Sequence, residues 1–108
     1  VEHWLWFDLP NIFVDRPLSA KEYQRIRLSH DTDWEARYGI YLDDGWYYVY
    51  RSEILLNRFL IEQATENTYR ISRVQYCPNH PQGKTYQALV EALREHGLDM
   101  SDCSRYDA

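Results

Sequence analysis

The chain has 108 residues, among them 4 Trp, 10 Tyr and 3 Phe, with 12 Lys and Arg against 17 Asp and Glu for a net charge of −5. A hydrophobic share of 44% and an aromatic share of 16% exclude a disordered chain and call for one packed domain. No run approaches the roughly 18 apolar residues of a membrane helix, and the acidic balance argues against a protein whose main task is gripping nucleic acid.

Taken in chain order, His3 to Phe7 is apolar and aromatic and reads as a first strand that stops at Leu9-Pro10-Asn11, where proline disfavours continuation. Residues 11–17 are a connector whose Ile12, Phe13 and Val14 pack beneath another element. Ser19 and Glu22 then have capping-box spacing, flanked by a staple pair, Leu18 and Tyr23, so a short helix is predicted over 19–30.

Residues 38–51 read as a hairpin around a three-residue loop, Asp43-Asp44-Gly45, with glycine at the position of positive φ. In that register Leu42 faces Trp46, Ile40 faces Tyr48 and Tyr38 faces Tyr50, giving an apolar core face. The opposite face carries Tyr41 across from Tyr47, with Arg51 beyond. Residues 53–64 fit a helix or a strand. Strand is preferred because Thr65-Glu66-Asn67-Thr68 can turn into the β-prone segment 69–76, after which Cys77-Pro78-Asn79-His80-Pro81 breaks regular structure.

Tyr86, Leu89, Val90 and Leu93 fall at helical spacing and predict a second helix over 84–96, closed by Gly97 with Leu98 folding back onto Leu93 in a Schellman ending. Residues 1–98 then form a single α+β domain and 99–108 a mobile polar tail. The expected fold is one antiparallel β-sheet of four to five strands, with both helices packed on its Trp46/Tyr48/Tyr50 face. Its core candidates are Leu5, Phe7, Ile26, Ile40, Leu42, Tyr48, Ile71, Val74, Leu89, Val90 and Leu93.

The motifs that could carry chemistry are incomplete. Gln82-Gly83-Lys84-Thr85 resembles the end of a phosphate loop, but Pro78 stands where such a loop needs glycine. Cys77 and His80 have the spacing of half a zinc site, with only the distant His96 and Cys103 to complete it, so no metal or other cofactor is expected. There is no nucleophile elbow, and Asp43 and Asp44 are accounted for by turn chemistry. The chain is therefore not read as an enzyme.

Two cysteines allow one disulfide at most, and no glycosylation sequon occurs, which points to a reducing cytoplasm. The N-terminus lacks a signal-peptide pattern, while Val1 in place of Met leaves room for a removed leader. Cations are 10 Arg and 2 Lys. Arg16, Lys21, Arg25 and Arg27 make a basic stretch, followed by the acidic Asp31, Asp33, Glu35, Asp43 and Asp44. The element order resembles that of double-stranded RNA-binding modules in its central part. The second helix, however, opens on Lys84 alone and continues through Glu91 and Glu95, without the cationic start those modules need.

The sequence thus favours a small acidic interaction or regulatory protein that docks a protein partner, a basic one by charge, through Tyr41, Tyr47 and Arg51. A homodimer through the same rings accounts for the composition equally. The alternative is a small-molecule binding domain whose sheet and helices enclose a pocket lined by Trp6, Trp46 and Tyr69.

Overall fold

The computed structural model describes residues 5–13, 16–28, 38–52, 54–78 and 84–100. In chain order the elements are β1 (Phe7–Leu9), β2 (Leu18–Ser19), α1 (Ala20–Arg27), β3 (Gly39–Asp43), β4 (Trp46–Arg51), β5 (Ile54–Gln63), β6 (Thr68–Tyr76) and α2 (Gln87–Glu95). The strands form one antiparallel sheet in the order β1-β6-β5-β4-β3, with β2 also paired to β6. The α+β class and the strand assignment of residues 54–63 hold. The sheet has six strands rather than four or five, because Leu18 and Ser19 pair with Tyr69 and Thr68 before the first helix begins.

That pairing follows from the connector. Pro10 ends β1, and Asn11 then bridges the gap along the edge of β6, its Nδ2 donating to the Ile71 carbonyl at 2.9 Å while its Oδ1 accepts from the Phe13 amide at 2.9 Å. Phe13 and Leu18 are buried as a result. Helix α1 starts where its capping box dictates: the Glu22 amide donates to Ser19 Oγ at 3.1 Å and the Ser19 amide to Glu22 Oε1 at 3.0 Å.

The β3–β4 hairpin corrects the expected register. Asp43 pairs with Trp46, so the loop is the two residues Asp44 and Gly45, with φ of 50° and 84°. Two consecutive positive φ values define the type I′ turn that an Asp-Gly pair favours, and its twist matches that of the strands. Shortening the loop by one residue slides the partners to Leu42 with Tyr47, Tyr41 with Tyr48, Ile40 with Val49 and Gly39 with Tyr50. A one-residue slip turns every side chain to the other face. The helices consequently cover the Tyr47/Val49 face, not the Trp46/Tyr48/Tyr50 face.

On that inner face Ile40, Tyr47, Val49, Leu56, Phe59, Ile71 and Val74 form one core with Ile26 of α1 and Ala88, Leu89, Val90, Ala92 and Leu93 of α2. A bulge in β5, where Val49 opposes Asn57 and Tyr50 opposes Leu55, leaves Leu56 as the extra residue and lets it join this core. Of the expected core residues, Leu5, Phe7 and Leu42 are 67%, 46% and 40% exposed. All three lie on or beside the two outermost strands, where only one neighbour shields them. Tyr48 is buried, but against the other face.

Helix α2 ends in the predicted Schellman motif, with the Leu98 amide donating to the Leu93 carbonyl and the Gly97 amide to that of Arg94, both at 3.1 Å. Beyond Leu98 the described chain continues for two residues, Asp99 and Met100. Met100 is buried, and the Asp99 carbonyl accepts from Arg16 Nη2 at 2.8 Å, while the same guanidinium pairs with Glu22 at 2.9 Å. Residues 101–108 lie outside the described residues, as do His3, Val14, Ser29, His30 and the acidic stretch 31–37.

Candidate functional site

Alternation along the strands sends a second set of side chains to the outer face. One cross-strand row runs through five strands: Asp8 of β1 opposes Gln75 of β6, Gln75 opposes Arg58 of β5, Arg58 opposes Tyr48 of β4, and Tyr48 opposes Tyr41 of β3. The row is wired together. Gln75 Nε2 donates to Asp8 Oδ1 at 3.1 Å, Arg58 Nε donates to Gln75 Oε1 at 2.7 Å, Arg58 Nη1 lies 3.4 Å from the Tyr48 hydroxyl, and the Tyr48 and Tyr41 rings stack at 5.1 Å.

Rings flank this row. The Arg58 guanidinium lies over two indoles, 4.6 Å from the Trp6 ring and 4.0 Å from the Trp46 ring, distances at which the ring quadrupoles attract a cation. Trp6 also meets Tyr48 edge-on at 5.7 Å, and Tyr50 lies against Tyr41 at 5.6 Å. Gly39 makes room for Tyr50, since a Cβ there would fall 2.1 Å from the ring. Tyr41, Trp46, Tyr50, Trp6 and Arg58 are all half-buried. Among the described residues no helix or strand lies over them, and the Trp6 Nε1 donor is buried without an acceptor.

The charges are unevenly satisfied. Arg73 holds Asp8 with Nε at 2.9 Å and Nη2 at 3.3 Å, a bidentate grip. That grip, reinforced by Gln75, keeps the Asp8 carboxyl below the ordinary carboxylate range and raises Arg73 in turn. Farther out Arg70 pairs with Glu62. Arg58, by contrast, has no carboxylate partner among the described residues. Burial, followed by the neighbouring Tyr48, Asp43 and Tyr50, raises the Tyr41 phenol, which therefore remains neutral at physiological pH.

The structure separates the residues that the sequence grouped. Tyr41 is on this face, but Tyr47 points the other way into the core, 4% exposed and stacked on Phe59 at 5.4 Å. Arg51 is exposed at the end of β4, 6.0 Å from the Tyr38 ring. Of the pocket residues, Trp6 and Trp46 do come together around Arg58, while Tyr69 lies on the helix side, stacked on Tyr23 at 4.0 Å. No aromatic-lined pocket between sheet and helices is built from these three. The cleft of about 480 Å³ that opens instead between α1 and the end of α2 holds none of these three rings; Lys21, Arg25, Leu28 and Glu95 are among the residues that line it.

Arg58 and Gln75 were not among the residues expected to act. Their signal in the sequence is charge and polarity at alternate positions within otherwise apolar strands, which a correct hairpin register converts into one face. The candidate metal ligands do not assemble among the described residues, where no cluster of three or more His, Cys, Asp or Glu side chains occurs. Cys77 is a buried free thiol, and His96 Nδ1 lies 2.6 Å from the Ala92 carbonyl. His80, Cys103 and Gln82-Gly83 fall outside the described residues, and no described helix is long and apolar enough to cross a membrane. No known protein family, curated protein or solved structure matches the chain.

Proposed function

We propose that the chain is a small non-enzymatic interaction or regulatory protein of the cytoplasm that docks a protein partner through the outer face of its sheet. The observation that carries this reading is the row from Asp8 to Tyr41 with Trp6 and Trp46 beside it. It gathers Trp, Tyr and Arg, the residue types that dominate binding energy at protein interfaces, over a rigid sheet and outside the hydrophobic core. Holding these rings half-buried in a fixed network lowers the entropy lost on binding. The net charge of −5 and the exposed Asp43 and Asp44 at the rim favour a partner whose contacting surface is basic around its edge.

Capture from cells with the tagged wild type and a Tyr41→Ala/Trp46→Ala double variant tests the reading. Both substitutions lie outside the core, so the variant is expected to fold, which circular dichroism checks. A partner retained by the wild type and lost by the folded variant supports the proposal; equal recovery contradicts it. Light scattering on both proteins covers self-association: a dimer that dissociates in the double variant would make the occupant a second copy of the chain.

A further inference from the structure

We infer that Arg58 is the carboxylate-receiving centre of the outer face, engaging an Asp or Glu side chain of the docked protein; this deepens, and rests on, the docking reading above. Among the described residues the other cations on that face are already paired with an acid, Arg73 with Asp8 and Arg70 with Glu62. Among the described residues the groups that contact Arg58 are neutral, the Gln75 amide, the Tyr48 phenol and two indoles, and the other cation near the Trp46 ring, Arg73 at 5.9 Å, is the one that Asp8 holds. The nearest acid in the row, Asp8, is held by Arg73 and Gln75, so Gln75 acts as a spacer between it and Arg58.

A guanidinium has five N–H donors. Nε is committed to Gln75 and one Nη1 hydrogen points towards Tyr48 at the long distance of 3.4 Å, which among the described residues leaves three, including both on Nη2. Two of these on adjacent nitrogens match the oxygens of one carboxylate in the planar fork geometry that distinguishes Arg from Lys. The rings that hold the side chain in place also lower the local dielectric, so a carboxylate meets a preorganised and partly desolvated partner. Phosphate shares this chemistry, but a nucleic-acid strand would have to pass the exposed Asp43 and Asp44 on a chain of net charge −5. A single acidic side chain within a basic-rimmed protein surface meets no such opposition.

The test begins with a displayed library of random peptides selected on the 108-residue chain, followed by synthesis of a selected peptide with its acidic position intact or replaced by the matching amide. The proposal expects an Asp or Glu at one position of the selected sequences. Replacing it should weaken binding by about tenfold or more. Arg58→Gln should weaken the acidic peptide equally and leave the amide peptide's affinity unchanged, the signature of a direct pair. Arg58→Lys, which keeps the charge over the indoles but loses the fork, should lose most of the same affinity and serves if the Gln variant does not fold. Peptides that depend on Trp46 and Tyr41 yet show no acidic position, and bind Arg58→Gln as well as wild type, would overturn this inference and leave the docking reading standing. Recovery of no Trp46-dependent peptide would overturn both. A single-stranded oligothymidylate, run in parallel, should bind weakly and independently of Arg58; a tenfold loss of its binding in Arg58→Gln would assign the site to phosphate instead.

Discussion

Tyr47→Ala and Tyr41→Ala form a pair that reads the hairpin register directly. In the structure the two rings lie on opposite faces: Tyr47 is 4% exposed, stacked on Phe59 at 5.4 Å, whereas Tyr41 is half-buried and rests on Tyr48. Removing a core ring costs about 3–5 kcal/mol. A half-exposed ring loses an aromatic pairing of about 0.5–1.5 kcal/mol and a modest share of its burial. For 108 residues, an unfolding entropy of about 2.1 cal/mol/K per residue gives roughly 4.4 °C of Tm per kcal/mol. Tyr47→Ala should therefore lower Tm by about 13–22 °C, and Tyr41→Ala by about 4–8 °C. Urea titration followed by circular dichroism gives the same comparison as free energies, provided the slopes agree. Costs equal within about 0.5 kcal/mol would place both rings on one face, as a three-residue loop requires, and would refute the type I′ register.

Ser19→Ala removes the side-chain half of the α1 capping box and should cost about 1 kcal/mol in the same titration. Gly97 has φ of 96°, and a Cβ there would lie 2.9 Å from Arg25 Nη1, so Gly97→Ala should cost about 1–2 kcal/mol, visible as faster amide exchange in the last turn of α2. Arg16 and the Ser19 amide hold the Glu22 carboxyl below its ordinary value of 4.5. This contribution is present above that value and is lost as the pH falls through the folded-state pKa, so Glu22→Gln should flatten the acid limb of a stability–pH profile. Tyr47 behaves in the opposite sense: burial and the adjacent Tyr23 raise its phenol above 10. Its contribution is complete below pH 10 and declines as the pH rises further, by up to about 1.4 kcal/mol per pH unit, and Tyr47→Phe should remove that decline.

Local chemistry made much of the fold readable. The Ser19 box, the Gly97 ending and the apolar stripe of α2 each depend on residues within a few positions of one another, and each forms as expected. The sixth strand was not readable, because Leu18 and Ser19 become a strand only when Tyr69 and Thr68 are beside them. The site turned on a single residue. Treating Asp43 as part of the loop placed Tyr41 with Tyr47 and hid the core ring among the candidate binding residues. The Asp44-Gly45 pair held the correct signal, and with the two-residue turn Tyr41 joins Tyr48 and Trp46. Even that register does not bring Trp6, Gln75 and Arg58 together, since their meeting depends on the pairing of β5 and β6 across the centre of the sheet and of β1 along its edge.

Hydroxyl-radical footprinting of the free chain and of its complex with a captured partner tests the central claim most directly. Trp46, Tyr41 and Tyr50 should be oxidised in the free protein and protected in the complex, while Tyr47 and Phe59 stay unreactive in both and the exposed residues of α1 remain unchanged. Unreactive Trp46 and Tyr41 in the free chain, or protection on the helical side in place of the sheet face, would contradict the account.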